Sequence, residues 1–402
     1  MQVQAFFLVL IAILLGARIL GELAARLGAP AVIGELLAGV LLGPSLLGWA
    51  RPTADLRLLS DIGIVLLLFE TGLRTDVPRL VKTGLKPFIV ATAGFAMPLA
   101  FGYALSHYLF AQGRITALFI GGTLTATSIG ITVRMLTDLR RSATGEAQIV
   151  LGAAVIDDVL GVVLLAFLYQ TTRTGHVDLA AAGKVLLFVV LFLLLAPIAA
   201  GVIAGIIERF SRVSQIPGLI PATVVSLVLF FAWLAREVGA PQLLGGFAAG
   251  LALSRRFRRS PRAAAAADSG FSAAVDQAMQ PIVHLFAPIF FVMVGLSLNL
   301  RAIDWSSPFV WALALSLFAL AIAGKVAAGF LIPGPALSRL AVGMAMVPRG
   351  EVGLIFLALG RSAGILDGTI SAALVMVIAL TTLLPPFALK WFYARYAPRL
   401  PA

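Results

Sequence analysis

The chain has no cysteine and only three histidines in 402 residues. Disulfides and thiolate chemistry are excluded, and no His/Cys cluster with the spacing of a metal centre can be drawn. Charge is scarce too. Asp, Glu, Lys and Arg make up 12% of the residues, where a soluble domain has about 25%. In their place 60% of the chain is hydrophobic and the mean hydropathy is +1.04. The apolar runs lack the period-two alternation over about ten residues that marks membrane strands. What remains is a polytopic α-helical membrane protein. The first apolar run is too long for a signal h-region and has no basic n-region, so it reads as a retained helix. The net charge of +12 points first to nucleic acid. However, the basic residues lie in short loops beside apolar runs, where they set orientation, so no nucleic-acid partner is expected.

Length and loop chemistry predict about thirteen spans, near 3–26, 30–48, 56–74, 80–109, 114–137, 146–170, 183–209, 218–236, 241–256, 281–300, 307–332, 337–360 and 367–394. The longest connection, Arg255 to Gln280, is basic and alanine-rich and is expected to be partly an interfacial helix. No soluble domain is expected after the last span. With the N-terminus outside, about 19 basic residues fall on one face and about 8 on the other, which makes the first face cytoplasmic. The expected topology is N-out and C-in.

Two stretches repeat. Pro30-Ala31-Val32-Ile33-Gly34-Glu35-Leu36-Leu37-Ala38-Gly39-Val40-Leu41-Leu42 aligns without a gap on Pro241-Gln242-Leu243-Leu244-Gly245-Gly246-Phe247-Ala248-Ala249-Gly250-Leu251-Ala252-Leu253, and Gly72-Leu73 on Gly295-Leu296. Matching spans are separated by an odd number, so the copies are expected to face opposite ways. Inverted repeats with a site at their interface are typical of secondary transporters. In the same pairing, the Gly- and hydroxyl-rich stretch 121–132 matches 343–353, which contains Pro348. Both helices are expected to break near the bilayer midplane, where freed backbone groups survive only beside a polar cavity.

The chemistry is expected at Asp157 and Asp158, near the middle of the run from about 149 to 169. An aspartate at the bilayer centre costs roughly 2.5–3.5 kcal/mol, so the pair must face protein, water or an ion. Adjacent helical residues point about 100° apart, so the two acids cannot serve one ligand symmetrically. Lys325 lies far from either end of its span and needs an acid partner, Asp157 or Asp158. Thr127 and Ser128 offer oxygens to a hard cation, or bonds to freed backbone groups. Arg349 and Glu351 flank the second break and read as support for its helix ends, with a part in the mechanism the alternative. Glu35, Asp61 and Glu70, with Arg18, read as funnel or interface residues. His107, His176 and His284 lie near predicted span ends and read as loop or interface residues, with pH sensing the alternative. Trp391 and the Tyr-rich tail fit interfacial anchoring.

These motifs, together with Val155-Ile156-Asp157-Asp158, Gly324-Lys325-Val326, Val347-Pro348-Arg349-Gly350-Glu351 and Thr381-Thr382-Leu383-Leu384-Pro385-Pro386, resemble the second branch of the monovalent cation/proton antiporters nearly end to end. The resemblance implies a NhaA-like fold of about thirteen transmembrane helices, with inverted repeats and two crossed discontinuous helices. It divides the single transporter domain into a dimerisation part, about 1–74 and 218–300, and a core part, about 80–170 and 307–394, linked by a helix near 183–209. It implies a homodimer in a bacterial inner membrane, surrounded by lipid. It also implies electrogenic exchange of about two protons for one sodium or lithium ion by an elevator motion, with no cofactor and no enzymatic activity. By position, Asp158 matches the ion-binding acid, Asp157 the acid paired with lysine, and Thr127 and Ser128 the broken-helix residues near the ion. Transient sodium ligands are then Asp158, Asp157 and Thr127. Potassium-efflux relatives usually carry a nucleotide-binding domain and replace the first aspartate of the pair, whereas this chain has both acids.

Other readings divide on single features. An intramembrane aspartyl protease needs two acids on one water, which neighbouring residues on one helix do not provide. A sodium-coupled organic-anion symporter needs a large substrate cavity. A sensor or scaffold would show no ion flux.

Overall fold

The computed structural model describes residues 3–75, 83–174, 179–213, 216–254, 269–396 and 399. Among them are sixteen α-helices and no strand. In chain order they are α1 (Val3–Arg26), α2 (Ala31–Leu42), α3 (Ala54–Arg74), α4 (Lys86–Ala104), α5 (Arg114–Thr123), α6 (Ile129–Asp138), α7 (Gly145–Thr174) and α8 (Leu179–Val213). They continue with α9 (Leu219–Glu237), α10 (Gln242–Leu253), α11 (Ser269–Ser297), α12 (Pro308–Phe330), α13 (Ala336–Ala345), α14 (Glu351–Ser362), α15 (Gly368–Leu383) and α16 (Pro385–Tyr396). A π-helical turn, Leu105–Leu109, follows α4, and a 3-10 turn, Leu300–Ala302, precedes α12.

Among the described residues, eight helical segments are long and apolar enough to cross a membrane, and α2, α10, α13 and most of α14 are shorter apolar helices. The outward faces agree with a lipid surround. On α8, Leu187, Leu194, Leu195, Ile198, Val202, Ile206 and Phe210 are all exposed, a stripe that water would not tolerate.

Local chemistry explains most helix starts. Pro30, Pro241 and Pro335 hold extended backbone directly before α2, α10 and α13, since proline fixes φ and cannot continue a helix backwards. Ser307 and Asp367 accept the N–H groups of Val310 and Ile370 at the starts of α12 and α15.

Two boundaries differ from the sequence reading. The span expected to begin at 281 begins at Ser269, because Pro281 and Pro288 both lie inside α11. Part of the expected interfacial connection, residues 255–268, lies outside the described residues. Proline is tolerated inside membrane helices because neighbouring groups satisfy the freed carbonyl. His284 is consequently an exposed residue well inside α11, not a span-end residue. Conversely, the last expected span is interrupted at Leu384 before Pro385 and Pro386.

The chain forms two compact units. The first is Met1–Thr53, Thr83–Leu179 and Phe291–Ala402, and the second is Ala54–Lys82 and Ala180–Phe290. In the first, α2 crosses α1 so closely that a Cβ on Gly34 would sit 2.0 Å from the Leu20 carbonyl oxygen, and one on Gly39 2.0 Å from that of Val292 in α11. In the second, α10 does the same with its aligned glycines. A Cβ on Gly245 would sit 2.1 Å from the Phe231 oxygen in α9, and one on Gly250 2.1 Å from the Phe69 oxygen in α3. The third pair follows suit: Gly295 faces the Leu36 carbonyl and Gly72 that of Phe247, at 2.1 and 2.3 Å from a built Cβ. The glycines that aligned in sequence therefore make equivalent backbone-to-backbone crossings in both copies, as small residues do between membrane helices. Gly39→Ala should lower the thermal unfolding midpoint in detergent, overpacking costing roughly 1–3 kcal/mol. An unchanged midpoint would mean that the crossing is looser than drawn.

Candidate functional site

The first unit contains two interrupted helices. The chain leaves helix between Thr123 and Ile129, and again between Ala345 and Glu351. The first interruption is turned by Leu124 and Thr125, whose N–H groups bond the Gly121 and Gly122 carbonyls. Thr125 Oγ1 also donates to Gly122 O at 2.8 Å. The second interruption coincides with Pro348, which has no N–H to give.

The two interruptions meet. Ser128 N–H donates to the Pro348 carbonyl at 2.9 Å. Thr127 Oγ1 donates to Met346 O at 2.9 Å, and Thr132 Oγ1 to Ala345 O at 3.1 Å. From α15, Thr382 Oγ1 donates to the Arg349 carbonyl at 2.7 Å. These bonds satisfy backbone groups that a broken membrane helix would otherwise leave bare. Gly350 is required by proximity: a Cβ there would lie 2.6 Å from Ser128 Oγ. Around this knot pack Phe119, Leu313, Leu317, Ala321, Phe356, Leu374 and Val377, all fully buried. Thr382→Val should destabilise the fold by about 1–2 kcal/mol, the cost of a buried carbonyl left without its donor. An unchanged midpoint in thermal unfolding would mean that the carbonyl finds another donor.

Asp157 of α7 reaches the knot. Its Oδ2 accepts the Thr127 N–H at 2.9 Å and Lys325 Nζ at 2.8 Å. Asp157 and Lys325 are both 0% exposed, and Asp158 2%. Of the two acids open to Lys325, the structure thus pairs it with Asp157. Asp157 Oδ1 has no hydrogen-bond partner among the described residues. Lys325 projects from α12 beside α4, where a Cβ on Gly94 would come 3.3 Å from the lysine Cδ and one on Gly324 would meet the Pro98 ring at 3.0 Å. The small residues on each helix let the lysine stem lie between them.

Arg349 is also fully buried, and its Nη1 makes one long bond, 3.4 Å, to Met346 O. Its Nε and Nη2 have no hydrogen-bond partner among the described residues. Glu351 is the first residue of α14, and its side chain lies outside the described residues. Asp157, Asp158, Lys325 and Arg349 together are formally neutral, so one added cation or proton changes the charge of a buried site. Among the described residues no group of His, Asp or Glu side chains is gathered as a resident metal centre.

The remaining sequence candidates lie elsewhere. Glu35 of α2 is buried and pairs with Arg134 of α6 at 3.4 Å, while Arg134 also pairs with Asp138 at 3.2 Å. In the second unit Asp61 hydrogen-bonds Gln242, and Glu70 pairs with Arg74, which reaches Asp276. His107 Nδ1 is 2.8 Å from Gln112 O in the π-helical turn, and His176 lies outside the described residues. Sequence reasoning passed over Arg134, Asp138 and Gly94, and quoted Thr382 within a motif without giving it a role. The first two are spaced i, i+4, a pattern that was legible. The other two act only through contacts distant in the chain.

The sequence profile of the transmembrane sodium/hydrogen exchanger family matches residues 9–395. The chain is 32% identical to the high-affinity Na(+)/H(+) antiporter NhaS3 of Synechocystis, over 94% of this chain and 87% of that protein. It is 32% identical to the Na(+)/H(+)-K(+) antiporter GerN of Bacillus cereus, over 96% of each. Its fold is similar to that of the sodium proton antiporter MjNhaP1 of Methanocaldococcus jannaschii, with a TM-score of 0.69 at 16% identity, covering 98% of this chain and 97% of that one.

Proposed function

Because the chain belongs to the sodium/hydrogen exchanger family, we propose that it exchanges sodium or lithium for protons at Asp157 and Asp158. The observation that carries this reading is the Asp157–Lys325 ion pair, wholly buried where two broken helices meet. A buried ion pair is poor evidence of stability, since its desolvation cost rivals its attraction. Inside a membrane, such charges are the default mark of an ion pathway.

Asp158 holds the cation, with oxygens from Thr127 and Asp157 completing its shell as sodium passes. Protons and sodium compete for the same carboxylates. Emptied of both, the site holds four ionised side chains, which cross hydrocarbon poorly even at zero net charge, so movement requires one ligand or the other. Lys325 holds Asp157 until a proton or cation displaces it. Exchange of about two protons per cation moves net charge, and each charge couples to about 2.3 kcal/mol per 100 mV. The inward-negative potential then drives sodium out.

This reading includes thirteen crossings, each broken helix counting once, with the N-terminus outside a bacterial inner membrane. The chain acts as a homodimer, and a core part slides against a dimerisation part to carry the site across. Its motifs resemble those of the sodium/proton antiporter NapA. Potassium is the second reading, favoured by the name of GerN.

The test is proton flux in proteoliposomes with a preset pH gradient and clamped voltage, adding sodium, lithium or potassium in turn. Sodium- or lithium-triggered flux that changes with voltage is expected. Flux with potassium alone selects the second reading, and flux with none of the three refutes exchange.

A further inference from the structure

Within the gapless alignment of α2 on α10, the glycine crossings pair except at one position. Where α10 has Gly246, packed so that a Cβ would lie 2.3 Å from the Val65 carbonyl oxygen, α2 has Glu35. One copy has a backbone-to-backbone contact there. The other has a buried carboxylate, an expensive substitution in a membrane.

Glu35 is 2% exposed and takes Arg134 Nη2 on Oε1 at 3.4 Å, while its Oε2 has no hydrogen-bond partner among the described residues. Arg134 is shared, its Nε facing Asp138 Oδ1 at 3.2 Å on the same helix. A second link joins the same two helices, Val32 N–H to Asp138 Oδ2, also at 3.4 Å. Arg18 of α1 adds its charge within Coulomb range of Glu35. The bonds that hold the ion-site knot are mostly 2.7–2.9 Å. The ion pair and the Val32 bond are both at the long limit, beside a further Ala31 N–H bond to Asp138, and the ion pair leaves a buried oxygen unmet, a costly condition for a polar atom. A contact built only for rigidity would not be left in that condition.

The position of α6 matters because its first turn follows Thr127 and Ser128 directly. In the proposed cycle α2 belongs to the dimerisation part and α6 to the core. We infer that the Glu35–Arg134 ion pair is a reversible tie between α2 and α6, made in one state of the transport cycle and broken in the other, with Arg134 then keeping its contact with Asp138. Glu35 and Arg134 are positioning residues, acting on the ion site through α6. The inference rests on the proposed exchange for its role in the cycle.

A double-mutant cycle tests it, with E35Q, R134Q, the double variant and the charge swap E35R/R134E. In proteoliposomes each single variant should shift the half-maximal sodium concentration by about threefold or more, in the same direction. The double variant should shift it no further, and the swap should return it to within about twofold of the starting protein. Hydrogen exchange supplies a readout that needs no transport: the amides of α6 should exchange faster in each single variant and recover protection in the swap. Additive shifts, silent single variants, or exchange in α6 unaffected by either variant overturn the tie. Absence of flux in the unsubstituted protein overturns the proposed exchange instead, and protection in α6 still decides the tie.

Discussion

Asp158→Asn should give a folded protein whose sodium-triggered proton flux falls to that of protein-free liposomes. Asparagine fills nearly the same volume and still forms hydrogen bonds, so packing around α7 is retained. It can neither take up a proton near neutral pH nor offer a full charge to a cation, and both are needed for competition at one oxygen. Asp158 is 2% exposed, so no bulk solvent substitutes for the lost carboxylate. The unfolding midpoint should stay close to that of the unsubstituted protein, because removing a buried charge relieves desolvation. Flux that persists at normal amplitude would move the ion-carrying role away from Asp158, with Asp157 the next residue to test.

Lys325→Ala should produce the largest loss of stability. The substitution leaves the Asp157 carboxylate wholly buried, with the Thr127 N–H as its remaining donor among the described residues. Breaking a buried pair by removing one partner typically costs roughly 3–5 kcal/mol, more than the net worth of the pair. The signature is its repair. Asp157→Asn added to Lys325→Ala removes the orphaned charge, so the double variant should unfold at a higher temperature than Lys325→Ala alone. Thermal unfolding in detergent reads this directly. A double variant less stable than the single one would show that Asp157 is held by something other than Lys325. In liposomes, loss of the lysine should also blunt the response of exchange to membrane potential, because a charge that moves with the site is gone.

Much of this site was legible in sequence because a membrane makes polarity conspicuous. Asp157, Lys325 and Arg349 stand out in apolar runs, and the interruptions at 124–128 and 346–350 follow from Gly, Thr and Pro where helix formers are expected. The glycine register of the copies was equally readable, since only a missing side chain allows such close crossings. The choice of Asp157 over Asp158 as the lysine's partner came only from the family resemblance, because the residues alone do not give the angle at which α7 passes α12. The role of Thr382 was not readable, being fixed by a carbonyl 33 positions away. The start of α11 was misplaced because Pro281 signals an end to a helix in water and not within a packed membrane bundle. Arg134 and Asp138 were overlooked because their charges sit at a helix end, where charge is unremarkable.

The glycine crossings have an architectural consequence. The second helix of the first copy packs on the third of the second copy, through Gly39 and Gly295, and the second helix of the second copy packs on the third of the first, through Gly250 and Gly72. Each half therefore presents the same patch that it receives, which is the geometry of an isologous, self-complementary interface.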